Sequence, residues 1–300
     1  PKSSDWNMQG MERVQEKKNY YDVLFAGTSM SILNISAEEL YLKYGIASIT
    51  LGEPEQIAFL SYYTIEEALK YQCPKVVVFD VKGLFYTYDQ QESMIKNNEN
   101  YSVHYTLDQF KNSFTKYNAV SQAKKFNPET KYWSYFSKMY QYHANWASIG
   151  KQNFNIEQTD DFILENKNSF EIWEESGDNK YIEKKDNTNN KETISPINEK
   201  YLRKMASLCK DKNVDLVLIR GTGSKYWNWD QYNAIEELAK KLNIDYLDLA
   251  LYEEKIEFDW KLDSVDGLHH NISGTKKWTD FLGEYLSKNI IHTSETGIEK

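Results

Sequence analysis

Four consecutive apolar residues, Val76-Val77-Val78-Phe79, stand between Pro74 and Asp80. A strand with one wet face alternates apolar and polar residues, whereas a run that is apolar throughout must bury both faces. The run is of strand length and far short of the ~18 residues that cross a bilayer. It therefore demands cover from both sides. Similar short runs recur at Tyr21 to Gly27, at Ala47 to Leu51 (stopped by Gly52 and Pro54), at Val214 to Ile219 and, more weakly, at Ile244 to Leu249. Between them the period lengthens to that of a helix. Residues 37–44 end before Gly45, and Glu55 to Gln72 places Ile57, Leu60, Ile65, Ala68 and Leu69 near one face. Glu199 to Asp211, Gln231 to Leu242 and Ser273 to Ser287 continue the series, the last with Trp278, Phe281, Leu282 and Tyr285 as its stripe. Strands alternating with helices predict an α/β fold of three α/β/α layers around a mainly parallel five-stranded sheet.

The alternation breaks between Leu84 and Pro196, which reads as a long mixed insertion after the third strand. Within it, Leu107 to Lys125 and Trp133 to Trp146 read as helices, the second with Trp133, Phe136, Tyr140 and His143 sharing a face. Residues 169–173 and 180–182 flank Ser176-Gly177-Asp178-Asn179 as a candidate hairpin. The charged, Asn-rich stretch 184–194 reads as a loop. Residues 1–19 are expected to be a polar lead-in, 20–290 one domain and 291–300 a flexible tail. The first residue is Pro1, so a preceding signal or anchor segment is expected to have been removed.

Composition excludes several functions. Lys plus Arg total 36 against 45 Asp plus Glu, a net charge of −9, which is the wrong sign for a phosphate backbone. No nucleic-acid partner is expected. Two cysteines, Cys73 and Cys209, cannot build a disulfide framework or a cysteine zinc site, and are expected to be free and buried. Aromatics make up 15 %, which fits either a large aromatic core or a sugar-stacking surface. Tyr226, Trp227 and Trp229 leave the same pair of readings open.

Ligands of open parallel sheets sit beyond the carboxyl ends of the strands. At the first such end lies Gly27-Thr28-Ser29-Met30, at the second Gly52, at the third Asp80-Val81-Lys82-Gly83 and at the fourth Arg220-Gly221-Thr222-Gly223. Ser29 follows a strand and precedes a helix, so it is either a nucleophile with backbone N–H groups nearby or a plain turn residue. Asp266 and His269 lie three apart before the last helix. That spacing lets the carboxylate orient the imidazole, or else marks a cap beside a surface histidine. His143 is either a packed ring or a substrate contact. Gly221-Thr222-Gly223 lacks the spacing of a phosphate-binding loop. Adjacent His269 and His270 do not converge on one ion, so no metal or cofactor is expected.

Ser29 after strand one, Gly52 after strand two and Asp266-x-x-His269 before the final helix together resemble the SGNH (GDSL-like) hydrolase family. The resemblance covers about residues 20–84 and 197–288. It implies that Ser29 is the nucleophile, that His269 and Asp266 complete a triad, and that the N–H groups of Ser29 and Gly52 form the oxyanion hole. Asp266-Gly267-Leu268-His269-His270-Asn271-Ile272-Ser273-Gly274 is similar to the D-x-x-H-L-N-x-x-G pattern of surface-polymer acyltransferase-associated members, such as teichoic acid D-alanylation and polysaccharide O-acetylation proteins. Tyr142-His143-Ala144-Asn145-Trp146 resembles their Tyr-His-x-x-Trp segment. On this resemblance the chain is a serine esterase or O-acyltransferase that moves or removes O-acyl groups, acetyl being the one implied, on a bacterial cell-surface glycan. A membrane-bound O-acyltransferase is the implied partner, and the outer face of a bacterial membrane the implied location. Lys82, His143 and Asn271 are the candidate substrate contacts. Three features depart from the pattern, the first being Met30, where relatives of this branch often carry a polar residue. The third block lacks its usual Asn, having Asp80-Val81-Lys82-Gly83 instead, and position 270 is His where Leu is usual. A stand-alone carbohydrate or small-molecule esterase and a non-catalytic glycan- or partner-binding module are the alternatives.

Overall fold

The computed structural model describes residues 10–96, 101–137, 186–221 and 227–291. Its five strands are β1 Val23–Ala26, β2 Ser48–Thr50, β3 Val76–Asp80, β4 Asp215–Arg220 and β5 Asp245–Asp248. Every pairing is parallel, in the order β2-β1-β3-β4-β5. The described helices are α1 Gly10–Glu16, α2 Ser29–Leu33, α3 Ala37–Tyr44, α4 Ala58–Ala68, α5 Tyr88–Lys96, α6 Tyr101–Leu107, α7 Phe114–Phe126, α8 Tyr132–Phe136, α9 Pro196–Asp211, α10 Trp229–Leu242 and α11 Ile272–Leu286.

The apolar runs explain the layering. Leu24, Ala26, Val77, Phe79, Leu216 and Leu218 point into one core with α1, α4, α9 and α10. Val23, Phe25, Val76, Val78, Val217 and Ile219 alternate with them and point into a second core with Leu40 of α3 and with Trp278, Phe281, Leu282 and Leu286 of α11. Caps set the helix limits. The Ser36 hydroxyl accepts the Glu39 N–H, and Gly45 closes α3 at φ 66°. Ser195 caps α9, which begins with Pro196, where a missing N–H costs nothing.

Several expectations are corrected. Within the lead-in, residues 10–16 form α1 and bury Met11 and Val14 in the first core. The helix expected over Leu107 to Lys125 begins only at Phe114, Leu107 being the last residue of α6. Ser113 caps α7 by accepting the Lys116 N–H, which ends the preceding turn and restarts the spiral at Phe114. The Trp133–Trp146 helix is interrupted, because α8 ends at Phe136 and Ser137 is extended. Trp133 is 51 % exposed while Tyr135 is buried, so the buried face is not the one the spacing gave. Residues 138–185, with His143, the Tyr142–Trp146 segment and the candidate hairpin, lie outside the described residues, as does the tail from residue 292. Helices α5 to α8 contribute Ile95, Val103, Leu107, Val120, Phe126 and Tyr135 to the same core as the sheet. Cys209 is buried as expected, but Cys73 is exposed. No helix among the described residues is long and apolar enough to cross a membrane.

Candidate active site

The strand order reverses between β1 and β3, which opens a crevice at their carboxyl ends. Gly27 leaves β1 with φ 127°, and a Cβ there would come within 2.7 Å of the Asp80 Cβ. Only glycine permits both the angle and the approach. Thr28 then caps α2, and Ser29 begins it, half-buried and open to the crevice. The fully buried Asp80 carboxylate accepts the N–H and the hydroxyl of Thr28 and the N–H of Lys82. Burial raises the Asp80 carboxyl, and the Thr28 and Lys82 bonds pull against that rise.

The opposite wall is a tight loop between Ser264 and Asn271. Ser264 pairs with His270, its hydroxyl donates to the His269 carbonyl at 3.0 Å, and it accepts the Gly267 N–H at 2.8 Å. This folding presents Asp266 and His269 on one side. One Asp266 oxygen accepts the N–H groups of Leu268 and His269 at 2.8 and 2.7 Å, and the other meets His269 Nδ1 at 2.8 Å. His269 Nε2 lies 2.8 Å from Ser29 Oγ, across 240 residues of sequence. Desolvation would raise the Asp266 carboxyl, but the His269 ring and the two N–H donors outweigh it and hold it below the usual carboxylate range. An ionised Asp266 fixes the proton on Nδ1, which leaves Nε2 as acceptor for the serine hydroxyl.

Gly52 lies against the base of this turn. A Cβ there would come within 2.0 Å of Ser31 Oγ and within 3.0 Å of the Gly27 and Thr28 carbonyl oxygens. Its N–H donates to Thr50 Oγ1 over 3.3 Å, a long bond. Lys82 lies in the 3-10 turn after β3, where its N–H is held by Asp80. Asn271 has a different placing from the expected substrate contact. It is buried, caps α11 by accepting the Gly274 N–H, and donates to the Leu262 carbonyl, so its amide is committed within the fold.

Sequence reasoning missed three polar groups around the triad. Asn34 reaches from the end of α2 to the acid–base loop. Glu53, next to Gly52, is buried, and its carboxyl accepts from Gln109. His270 is buried against Phe258 and Trp260 and shares a hydrogen bond with the Gly221 carbonyl at 3.1 Å. A carbonyl can only accept, so Nε2 carries the proton. No spacing in the sequence marks Asn34 or Glu53, and His270 stood out only as a departure from the family pattern, without a role.

A second Ser–His–Asp grouping is built differently. His104 Nδ1 lies 3.1 Å from Asp108, its Nε2 lies 3.3 Å from Ser134 Oγ, and its ring stacks on Tyr135 at 3.9 Å. Ser134 is buried and its hydroxyl donates to the Lys131 carbonyl at 2.8 Å, so this grouping ties α6 to α8.

Fold and site define an α/β protein of three layers with a hydrogen-bonded Ser–His–Asp triad at the carboxyl edge of its sheet. No family model and no curated protein matches the sequence. Solved structures with some likeness include a GDSL-like lipase from Bacteroides thetaiotaomicron, at 10 % identity, a TM-score of 0.41, and coverage of 95 % of this chain and 98 % of that one. A catalytic mutant of an acetylxylan esterase from Geobacillus stearothermophilus is similar at 10 % identity and a TM-score of 0.39, over 94 % and 97 % of the two chains. The chemistry is argued from the side-chain geometry, not from these likenesses.

Proposed function

We propose that this protein is a serine esterase or acyltransferase, carried chiefly by the 2.8 Å approach of His269 Nε2 to Ser29 Oγ with Asp266 on the far ring nitrogen. As Ser29 Oγ attacks an ester carbonyl, its proton passes to His269 Nε2, and Asp266 stabilises the imidazolium. The tetrahedral oxyanion collapses, the leaving alkoxide takes the proton from His269, and an acyl-serine remains. Water or a sugar hydroxyl then gives a proton to His269 as it attacks the acyl carbonyl, and His269 passes that proton to the departing Ser29 Oγ, which frees the acid or ester product. The Ser29 and Gly52 N–H groups are the proposed oxyanion donors. Gly52 would have to release its long bond to Thr50, and Lys82 is the candidate that takes the place of the absent Asn.

The finer reading rests on the sequence resemblance alone. It has an O-acylated surface glycan as substrate, a membrane-bound O-acyltransferase as partner, and an extracytoplasmic location. An exposed triad carboxylate suits an open site, which a polymer chain can enter from the side.

The test is intact-mass detection of a fluorophosphonate adduct on the wild type, Ser29→Ala and His269→Ala. One adduct on the wild type that is absent from both variants is expected. Absence of any adduct at high probe concentration would count against the proposal. Release of acetate from an acetylated oligosaccharide, with and without an unacetylated acceptor sugar, then separates hydrolysis from transfer.

A further inference from the structure

Asn34 closes α2, five residues after Ser29, and is 1 % exposed. Its backbone N–H donates to the Met30 carbonyl, which completes the helix that Ser29 begins. Its side chain leaves that helix and grips the acid–base loop. Nδ2 donates to the Leu268 carbonyl at 3.0 Å, and Oδ1 accepts the His270 N–H at 3.0 Å. Leu268 and His270 flank His269, so one amide holds the backbone on both sides of the triad imidazole. Nδ2 also lies 3.4 Å from the Gly221 carbonyl, the same oxygen that receives the His270 ring N–H. A buried amide with donor and acceptor both committed has one orientation, because flipping it would face N–H against N–H and carbonyl against carbonyl.

We propose that Asn34 is a positioning residue that sets the distance between Ser29 and His269. The proposal rests on the reading of those two residues as nucleophile and base. Ser29 and Asn34 stand at the two ends of the same short helix, so the path from Ser29 to Leu268 and His270 runs through hydrogen-bonded helix backbone and one buried amide. Without that amide, the loop would keep its internal bonds from Ser264 and Asp266 but lose its register against Ser29. Displacement of a base by about 1 Å can cost about 100-fold in rate.

Two variants test this. Asn34→Ala removes both bonds. Asn34→Asp keeps the shape but, when ionised, sets a carboxylate against the Leu268 carbonyl; when protonated, its O–H restores the donor. The first readout needs no catalysis, being the proton NMR signal of His269 Nδ1–H hydrogen-bonded to Asp266 and its exchange with solvent. The second is the rate of fluorophosphonate labelling, taken as a ratio to the wild type at several pH values, below the melting temperature of each protein. Expected are faster exchange of the Nδ1 proton in Asn34→Ala, a labelling rate lowered about 10- to 100-fold, and a ratio for Asn34→Asp that climbs toward one as the pH falls. An unaltered Nδ1 signal with labelling at the wild-type rate in Asn34→Ala would overturn the positioning role. A wild type that never labels, while the Nδ1 signal still depends on Asn34, would defeat the catalytic reading and leave the positioning of His269 standing.

Discussion

The Asp80 carboxylate binds Thr28 twice, through the backbone N–H at 3.1 Å and through the hydroxyl, and thereby ties the residue before the nucleophile to the tip of β3. The turn that presents Ser29 is thus held by the strand beside it as well as by its own short helix, whose Ser31 N–H and hydroxyl bond to the Thr28 carbonyl. Asp80→Ala leaves the Thr28 and Lys82 N–H groups without this acceptor in a buried place, which costs about 1–3 kcal/mol for each group left unpaired. Thermal melting should fall, and the labelling rate of Ser29 should fall with it. Asp80→Asn, which retains one acceptor oxygen, should lie between the two. Melting and labelling unchanged in Asp80→Ala would show that the turn holds itself.

Glu53 predicts a loss of stability toward alkaline pH. Burial pushes its carboxyl well above the ordinary range, and the bond from Gln109 opposes this only in part. The folded state then keeps a neutral acid where the unfolded chain ionises. Its stabilisation is fully present below the unfolded pKa and is lost as the pH rises through the folded one. The slope in that interval is about 1.4 kcal/mol per pH unit. Glu53→Gln cannot ionise and nearly preserves the shape. Chemical melts from mildly acidic to alkaline pH should show the variant gaining on the wild type as pH rises. A difference that does not vary with pH would mean Glu53 is ionised in the folded protein.

Gly52 predicts a steric result that separates two roles. A methyl group there meets Ser31 Oγ at 2.0 Å and the Gly27 and Thr28 carbonyl oxygens within 3.0 Å. The hydroxyl can be removed, but the backbone cannot move without shifting Ser29. Gly52→Ala should lose about 1–3 kcal/mol and nearly all labelling. Adding Ser31→Ala should recover part of the stability and little of the labelling. Full recovery of both would show that the backbone at position 52 has no bearing on the site.

The sheet was legible because its central strands are written as short apolar runs, and a strand buried on both faces has few other ways to be encoded; the edge strand β5, Asp245–Asp248, carries the weaker signal. The helices of the two α/β halves were legible through their spacing and caps, with ends moved by a few residues. The region after β3 was less so. Its helices meet the core through scattered residues such as Ile95, Val103 and Tyr135, and a cap at Ser113 overrides the periodicity across 107–125. Ser29, His269 and Asp266 were nameable because a resemblance supplied their order, and their hydrogen bonding needed coordinates. Asn34 and Asp80 were not nameable as partners of the site. A buried amide or carboxylate that bonds to backbone from distant segments leaves no periodic trace in the chain.

His270 supplies the prediction with the opposite sign to Glu53. Burial among Phe258 and Trp260 lowers its pKa from 6.5 to about 3, opposed in part by the bond to the Gly221 carbonyl. The folded protein therefore holds it neutral where the unfolded chain takes up a proton. Its stabilisation is present above the unfolded pKa and is lost as the pH falls toward about 3. The slope is again about 1.4 kcal/mol per pH unit. His270→Phe deletes the titration and the ring N–H donor while keeping an aromatic ring in the pocket. At about pH 7 the variant should be less stable by about 1 kcal/mol, the net worth of a neutral hydrogen bond. At about pH 4.5 the wild type should have lost more than that through His270 alone, so the order should reverse. Asp266 weakens both proteins in acid, because its depressed pKa makes its stabilisation fade as pH falls, and that common loss cancels in the comparison. Urea melts of the two proteins at both pH values decide the matter. A gap of the same size and sign at each would mean that His270 takes its proton inside the fold, and the bond from its ring to Gly221 would then have to survive a buried charge beside the triad loop.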